Sequence, residues 1–170
     1  TLGEANQETC TTYNMLWLTR FLTQWTGEAK YGDYYERNLV NGILSAQRPA
    51  DGQFCYFTPM KSGAIKEFGT PLDTFWCCYG TGVQAFSDFA SSIYFRDAQN
   101  LYVNLFIPSD VTWKKADGAV RVMQDTAFPQ KSSTRLTIKS AGGGVFALKV
   151  RVPWWAKKGV EVKINQAKTD

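Results

Sequence analysis

Cys77 and Cys78 stand side by side in the run Phe75-Trp76-Cys77-Cys78-Tyr79-Gly80-Thr81-Gly82, and that adjacency restricts what the chain can do with its sulfur. Neighbouring Cα atoms sit ~3.8 Å apart across a trans peptide, short of the ~4.4–6.8 Å that disulfides usually span. Two thiols held together suit a soft metal ion better, because thiolates need only converge on one point. Cys10, with Glu8 two residues before it, adds a third sulfur and a carboxylate. Those four groups make a tetrahedral donor set for zinc. The spacing is not that of a zinc finger, so folding has to assemble the site from distant segments. Three other readings compete with it: buried free thiols acting as small hydrophobes, a strained vicinal disulfide, and bridges to Cys55.

The rest of the composition narrows the chemistry. The chain contains no histidine, which removes Ser-His and Cys-His pairs and every His-bearing metal set from within it. Carboxylates and thiols must carry any reaction. The net charge of +4 comes from scattered basic residues; nothing forms a phosphate-tracking stripe, so nucleic-acid binding is not expected. No apolar run approaches the ~18–20 residues of a membrane span. Aromatic residues make up 15% of the chain, which suits either a packed core or a surface that stacks against sugar rings.

Periodicity divides the chain in two. Residues 10 to 25 read as a helix with Met15, Leu16, Leu18, Phe21, Leu22 and Trp25 on its apolar face. Thr9 is its N-cap candidate, with Thr11 and Thr12 as rivals. Residues 30 to 47 form a second helix, in which Glu36 and Arg37 point apart and pair with other segments. Pro49-Ala50-Asp51-Gly52 is a turn, Phe54 to Phe57 a short extended run, and residues 58 to 74 a long excursion before the cysteine pair. A third helix follows Gly80-Thr81-Gly82, with the cysteines in the loop leading into it. From about residue 99 the period becomes two: Leu101, Val103 and Leu105, then Val120 and Val122, Leu136 and Ile138, Phe146 to Val152, and Val160 to Ile164. Lys149 and Arg151 are expected to face outward. Ser132-Ser133, Gly142-Gly143-Gly144 and Lys158-Gly159 supply the turns. The pattern is that of an antiparallel β-sandwich. Pro153-Trp154-Trp155 reads as a cap on the sandwich core or as a sugar platform.

Four ordered segments carry a resemblance. Glu8-Thr9-Cys10-Thr11-Thr12-Tyr13-Asn14-Met15-Leu16, Asp33-Tyr34-Tyr35-Glu36-Arg37-Asn38-Leu39, Thr74-Phe75-Trp76-Cys77-Cys78-Tyr79-Gly80-Thr81-Gly82 and Leu101-Tyr102-Val103-Asn104-Leu105-Phe106-Ile107-Pro108-Ser109 resemble motifs of the β-L-arabinofuranosidases of glycoside hydrolase family 127. The resemblance implies an α+β chain. Residues 1–97 would be the C-terminal part of a helical (α/α)-barrel catalytic domain, and 98–170 a β-sandwich. It implies zinc held by Glu8, Cys10, Cys77 and Cys78, with Cys77 as the nucleophile of a retaining glycosidase acting on L-arabinofuranosides or similar plant-type glycans. The family's general acid/base is a glutamate upstream of the Glu8-Thr9-Cys10 segment, in a motif that this sequence does not contain. Glu4, the only acidic residue before Glu8, is a poor substitute. The resemblance therefore implies a piece of a longer enzyme, inactive by itself. A zinc-stabilised carbohydrate-binding or scaffold fragment without turnover is the competing expectation, and a metal-free, disulfide-linked extracellular domain is the third.

Overall fold

Three α-helices, two three-stranded sheets and two pairs of two-residue strands make up the computed structural model, which describes residues 2–3, 5–142 and 144–168. Glu4 and Gly143 lie outside the described residues.

Helix α1 (Thr9–Thr26) closes on Gly27, whose φ of 66° puts it in the left-handed region while its N–H reaches the Thr23 carbonyl at 2.8 Å. Only glycine adopts that terminating conformation at little cost. The expected N-cap at Thr9 is not observed. Glu8 holds the capping position, and Thr9 is the first helical residue, buried to 1% exposure. Its hydroxyl donates instead to the carbonyls of Cys55 and Tyr56, at 3.2 and 3.4 Å. Tertiary hydrogen bonds thus displaced a local cap.

Helix α2 (Ala29–Asn38) continues through a π-helical stretch (Leu39–Ile43) and a 3-10 turn (Leu44–Ala46), so the expected second helix runs nearly its full length. Helix α3 (Cys77–Asp88) begins at the cysteine pair itself. The pair therefore forms its first turn and does not lie in a preceding loop. Leu16, Tyr35, Leu39, Ile43, Ala85 and Leu105 form the core that binds the helices together. Only part of the apolar face expected for α1 is covered: Leu16 is buried, whereas Met15, Leu18, Phe21 and Trp25 remain exposed.

Short strands β1 (Gln7–Glu8) and β2 (Phe57–Thr58) pair antiparallel, setting Glu8 opposite Phe57. Strands β3 (Tyr94–Arg96) and β4 (Asn100–Val103) form a hairpin. Strands β5 (Ser109–Lys115), β6 (Gly118–Thr126) and β7 (Thr134–Ala141) form an antiparallel meander. Strand β8 (Ala147–Val150) then returns to lie parallel to β4. The wholly antiparallel pattern read from the sequence fails there, because the long connection through β5–β7 supplies the crossover that a parallel pair needs. Leu101 from β4, Trp113 from β5, and Val120 and Val122 from β6 share one core between the two sheets. The strand expected over Phe146 to Val152 stops at Val150, and the one expected over Val160 to Ile164 shrinks to an exposed pair, β9 (Lys163–Ile164) with β10 (Ala167–Lys168).

Arg151 departs furthest from expectation. It is buried, its side chain only 4% exposed. Its guanidinium donates to Asp33 Oδ1 at 2.6 Å, Glu36 Oε1 at 2.9 Å and the Asn104 carbonyl at 2.7 Å. Glu36 also accepts from the Trp155 indole at 2.9 Å, and Arg37 lies over the Trp154 ring at 5.0 Å. The Trp154–Trp155 pair thus grips α2, which neither expectation for it foresaw. A Cβ on Gly32 would come within 2.2 Å of Asn104 Oδ1 and 2.7 Å of Arg151 Cδ. Helix and sheet approach too closely there for any side chain.

Asp97 organises the β3–β4 turn. Its carboxylate accepts from the Asn100 side-chain amide, the Gln99 and Asn100 backbone N–H groups and the Tyr102 hydroxyl. The Asn100 amide contributes most, followed by the Gln99 N–H, and together these donors hold the carboxyl well below the usual carboxylate range. A folded-state pKa below the unfolded value stabilises at every pH above about 4, and the contribution fades as pH falls further. Asp97→Ala is thus expected to lower the unfolding midpoint at neutral pH, with the gap to wild type closing below about pH 4. A gap that stayed constant through acid titration would show that the carboxylate's charge contributes nothing.

Candidate metal centre

Two helix N-termini meet at the cysteines. Glu8 occupies the N-cap position of α1 and Cys10 its second residue, while Cys77 and Cys78 open α3. The unpaired N–H groups and positive dipole ends of both helices favour anionic side chains at this point. One ligand atom from each of Glu8, Cys10, Cys77 and Cys78 lies within 4.8 Å of all the others, although 68 residues separate Cys10 from Cys78.

The sulfur geometry decides among the readings left open by the sequence. Cys10 Sγ lies 3.5 Å from Cys78 Sγ, and Cys77 Sγ lies 4.0 Å from Cys78 Sγ. A disulfide needs about 2.05 Å, and all four cysteines are free. Neither a vicinal disulfide nor a bridge to Cys55 is present. Cys55 is fully buried away from the cluster, with the Thr58 hydroxyl 3.8 Å from its sulfur. An ion bound at about 2.3 Å by sulfurs at the corners of a tetrahedron would set them about 3.8 Å apart. The observed separations bracket that value. Three soft sulfurs and one carboxylate oxygen fit a thiolate-seeking divalent cation.

The sulfurs are not equivalent. Cys78 is fully buried, and burial pushes its thiol up to about 12. Burial also raises Cys10, against which the Thr81 hydroxyl 3.1 Å away pulls downward. Cys77 is exposed and shifted the other way. The Tyr56 hydroxyl, 3.6 Å from its sulfur, is the largest cause of its lowered pKa, with the Cys10 thiol next. Reciprocally, the Cys77 sulfur pushes the Tyr56 phenol up to about 12. Among the three sulfurs, the one open to a substrate is also the one most readily ionised.

Tyr56 and Thr81 were not legible as parts of this site. Tyr56 is brought there by the β1–β2 pairing and by the Thr9 N–H, which donates to the Tyr56 carbonyl at 3.2 Å. Thr81 stands one helical turn after Cys77, and that spacing on α3 was the one available clue. The Trp76 ring packs edge-on against Tyr56 and Tyr79, with centroids 5.8 and 5.7 Å apart. The excursion before the cysteines exposes Ile65 and Leu72, and Phe75, just after it, is exposed as well. Glu36 takes no part in the cluster, since its two oxygens are engaged by Arg151 and Trp155.

Known proteins resemble this chain in sequence and in fold. Residues 1–91 match the family model described as "Beta-L-arabinofuranosidase, GH127 catalytic domain", and residues 100–170 match its middle domain. No curated protein matches. Among solved structures, a GH127 β-L-arabinofuranosidase from Geobacillus stearothermophilus T6 superposes with a TM-score of 0.81 at 27% identity, over 96% of this chain and 27% of that one. A GH127 β-arabinofuranosidase (TM-score 0.82, 24% identity) and a glycoside hydrolase (0.83, 23%) each align with 96% of this chain and 28% of their own, and these two show the fold alone. The chain spans little more than a quarter of the length of the structures it matches. Among the described residues, no helix is long and apolar enough to cross a membrane. With the catalytic-domain model matching more than half of its residues, the chain belongs to the β-L-arabinofuranosidase family, glycoside hydrolase family 127.

Proposed function

We propose that this chain carries the metal centre and nucleophile of a retaining glycosidase acting on L-arabinofuranosides or similar plant-type glycans. The observation that carries the reading is the convergence of Glu8, Cys10, Cys77 and Cys78 from two distant segments into one cluster with a single exposed sulfur. Residues 1–97 belong in this reading to a helical barrel domain, and 98–170 to a β-sandwich.

Glu8, Cys10, Cys77 and Cys78 would hold zinc, which when bound keeps its thiolates deprotonated near neutral pH. Cys77 attacks the anomeric carbon and takes the glycosyl group as a thioglycosyl intermediate, while the glycosidic C–O bond breaks through an oxocarbenium-like transition state. A carboxylic acid protonates the departing oxygen and then, as carboxylate, activates the water that releases the sugar and restores the Cys77 sulfur. In this reading that carboxylate comes from outside these 170 residues, and turnover is a property of the intact protein. Tyr56 steadies the Cys77 sulfur as an anion before attack and after release. Cys78, fully buried, and Cys10, half-buried, would anchor the centre.

The test is metal content set beside activity. Freshly purified intact protein is expected to carry one zinc per chain by elemental analysis, and Cys10→Ala to lose most of it. Removing a ligand should cost at least about tenfold in metal affinity, and hydrolysis of 4-nitrophenyl β-L-arabinofuranoside should fall with the zinc. A metal-free but fully active preparation would remove the centre from the reaction.

A further inference from the structure

Cys10 supplies the sulfur that joins the two halves of the candidate centre, and Thr81 of α3 meets it from the other side. Cys10 Sγ lies 3.5 Å from Cys78 Sγ and 3.1 Å from the Thr81 hydroxyl, the latter across 71 residues of chain. Thr81 follows Cys78 by three residues and Cys77 by four, so all three share one face of α3. The backbone next to it is tightly placed. A Cβ on Gly82 would come within 2.5 Å of the Phe54 ring, and Phe54 is itself only 3% exposed. That turn of α3 therefore sits flush on the core and carries the Thr81 hydroxyl to Cys10.

The direction of that hydroxyl is informative. Threonines inside helices commonly turn their hydroxyls back to the carbonyl four residues earlier. In α1, Thr12, Thr19, Thr23 and Thr26 all do so, donating to the carbonyls of Glu8, Met15, Thr19 and Leu22 at 3.1, 2.6, 2.9 and 2.7 Å. Thr81 instead faces a sulfur. Beside a neutral thiol a hydroxyl can donate or accept, but beside a thiolate, which has no proton to give, it can only donate. The three thiolates and one carboxylate of the cluster would bring four negative charges to a divalent cation. A hydrogen bond to one sulfur disperses part of that excess and fixes the direction of its lone pairs.

Resting on the metal centre proposed above, we infer that Thr81 is a positioning residue for it: its hydroxyl donates to the Cys10 thiolate and strengthens metal binding without being a ligand. Cys10 is the sulfur that most needs such support. Cys78 is held by complete burial, and Cys77 has the Tyr56 hydroxyl 3.6 Å away, whereas Cys10 is only half-buried. The two hydroxyls divide the work. Tyr56 faces the exposed sulfur, which reacts, and Thr81 faces one that only binds.

Zinc affinity, measured in the intact protein by competition with a chromophoric chelator, tests this role. Thr81→Val keeps the shape of the side chain without its hydroxyl and should raise the zinc dissociation constant about tenfold, the lower end of what outer-shell partners contribute. Thr81→Ser keeps the hydroxyl and should stay near wild type. With cobalt(II) in place of zinc, the thiolate-to-metal charge-transfer bands should shift in Thr81→Val and hold in Thr81→Ser, a signature that a change in packing alone does not produce. Equal zinc affinities and equal cobalt spectra in wild type and Thr81→Val overturn the role of Thr81 and leave the centre standing. Equal losses in both variants overturn it too, since packing of the side chain then matters and its hydroxyl does not. A wild-type protein that binds neither ion overturns the metal centre and the part of Thr81 in it together.

Discussion

Cys77→Ser, made in the intact protein, is expected to lower hydrolysis of 4-nitrophenyl β-L-arabinofuranoside by about a thousandfold or more. A serine hydroxyl at this position would ionise far less readily than the thiol and would be a poor ligand for a soft metal. Because Cys77 is exposed, replacing its sulfur opens no cavity, and in the metal-free protein the change in stability should stay within about 0.5 kcal/mol. Activity and stability therefore separate at Cys77. They should not separate at Cys78, which is fully buried, so Cys78→Ser is the comparison that shows a structural effect. Undiminished hydrolysis by the Cys77 variant would end its assignment as nucleophile. The same variant tests the non-catalytic alternative, since a purely structural zinc has all its positions closed, whereas here one sulfur faces solvent.

The second large effect is expected far from the metal. Arg151→Met should destabilise the protein by about 3–5 kcal/mol, because it strands two carboxylates that have little access to water. Asp33 and Glu36 are only 13% and 11% exposed in their side chains. Much of that loss is the cost of unpaired buried charge, so a triple variant adding Asp33→Asn and Glu36→Gln should recover most of it. Thermal or denaturant midpoints of the intact protein measure both effects. Arg151→Lys should rescue only partly, because a single ammonium cannot reproduce a guanidinium fork that engages Asp33, Glu36 and the Asn104 carbonyl together. A midpoint within a degree of wild type for Arg151→Met would mean that helix and sheet are joined by other contacts.

These two residues differ in how legible they were. Cys77 could be singled out because adjacent thiols have few uses, and because the motifs around them resemble those of one family. Arg151 was misassigned by the same kind of reasoning. In Val150-Arg151-Val152 the alternation points the arginine to solvent, and nothing local reveals two carboxylates on a helix more than a hundred residues earlier. A strand's period says which side chains share a face; it does not say what covers that face. The parallel return of β8 beside β4 was hidden for a related reason, since alternation is the same in parallel and antiparallel pairs.

Apolar periodicity located the three helices and strands β4, β6, β7 and β8, but not β3 or β5, and residue type singled out the four donor groups of the candidate centre. By itself the sequence also excluded histidine chemistry from within these 170 residues, by composition. Only the tertiary structure decided that Cys77 is the exposed sulfur and Cys78 the buried one, that Tyr56 stands beside Cys77, and that Glu36 belongs to an ion pair and not to the metal cluster. The physical reason is common to all three. Exposure, hydrogen-bond partnership and charge pairing are relations between segments distant along the chain, and packing fixes them where local sequence preference does not.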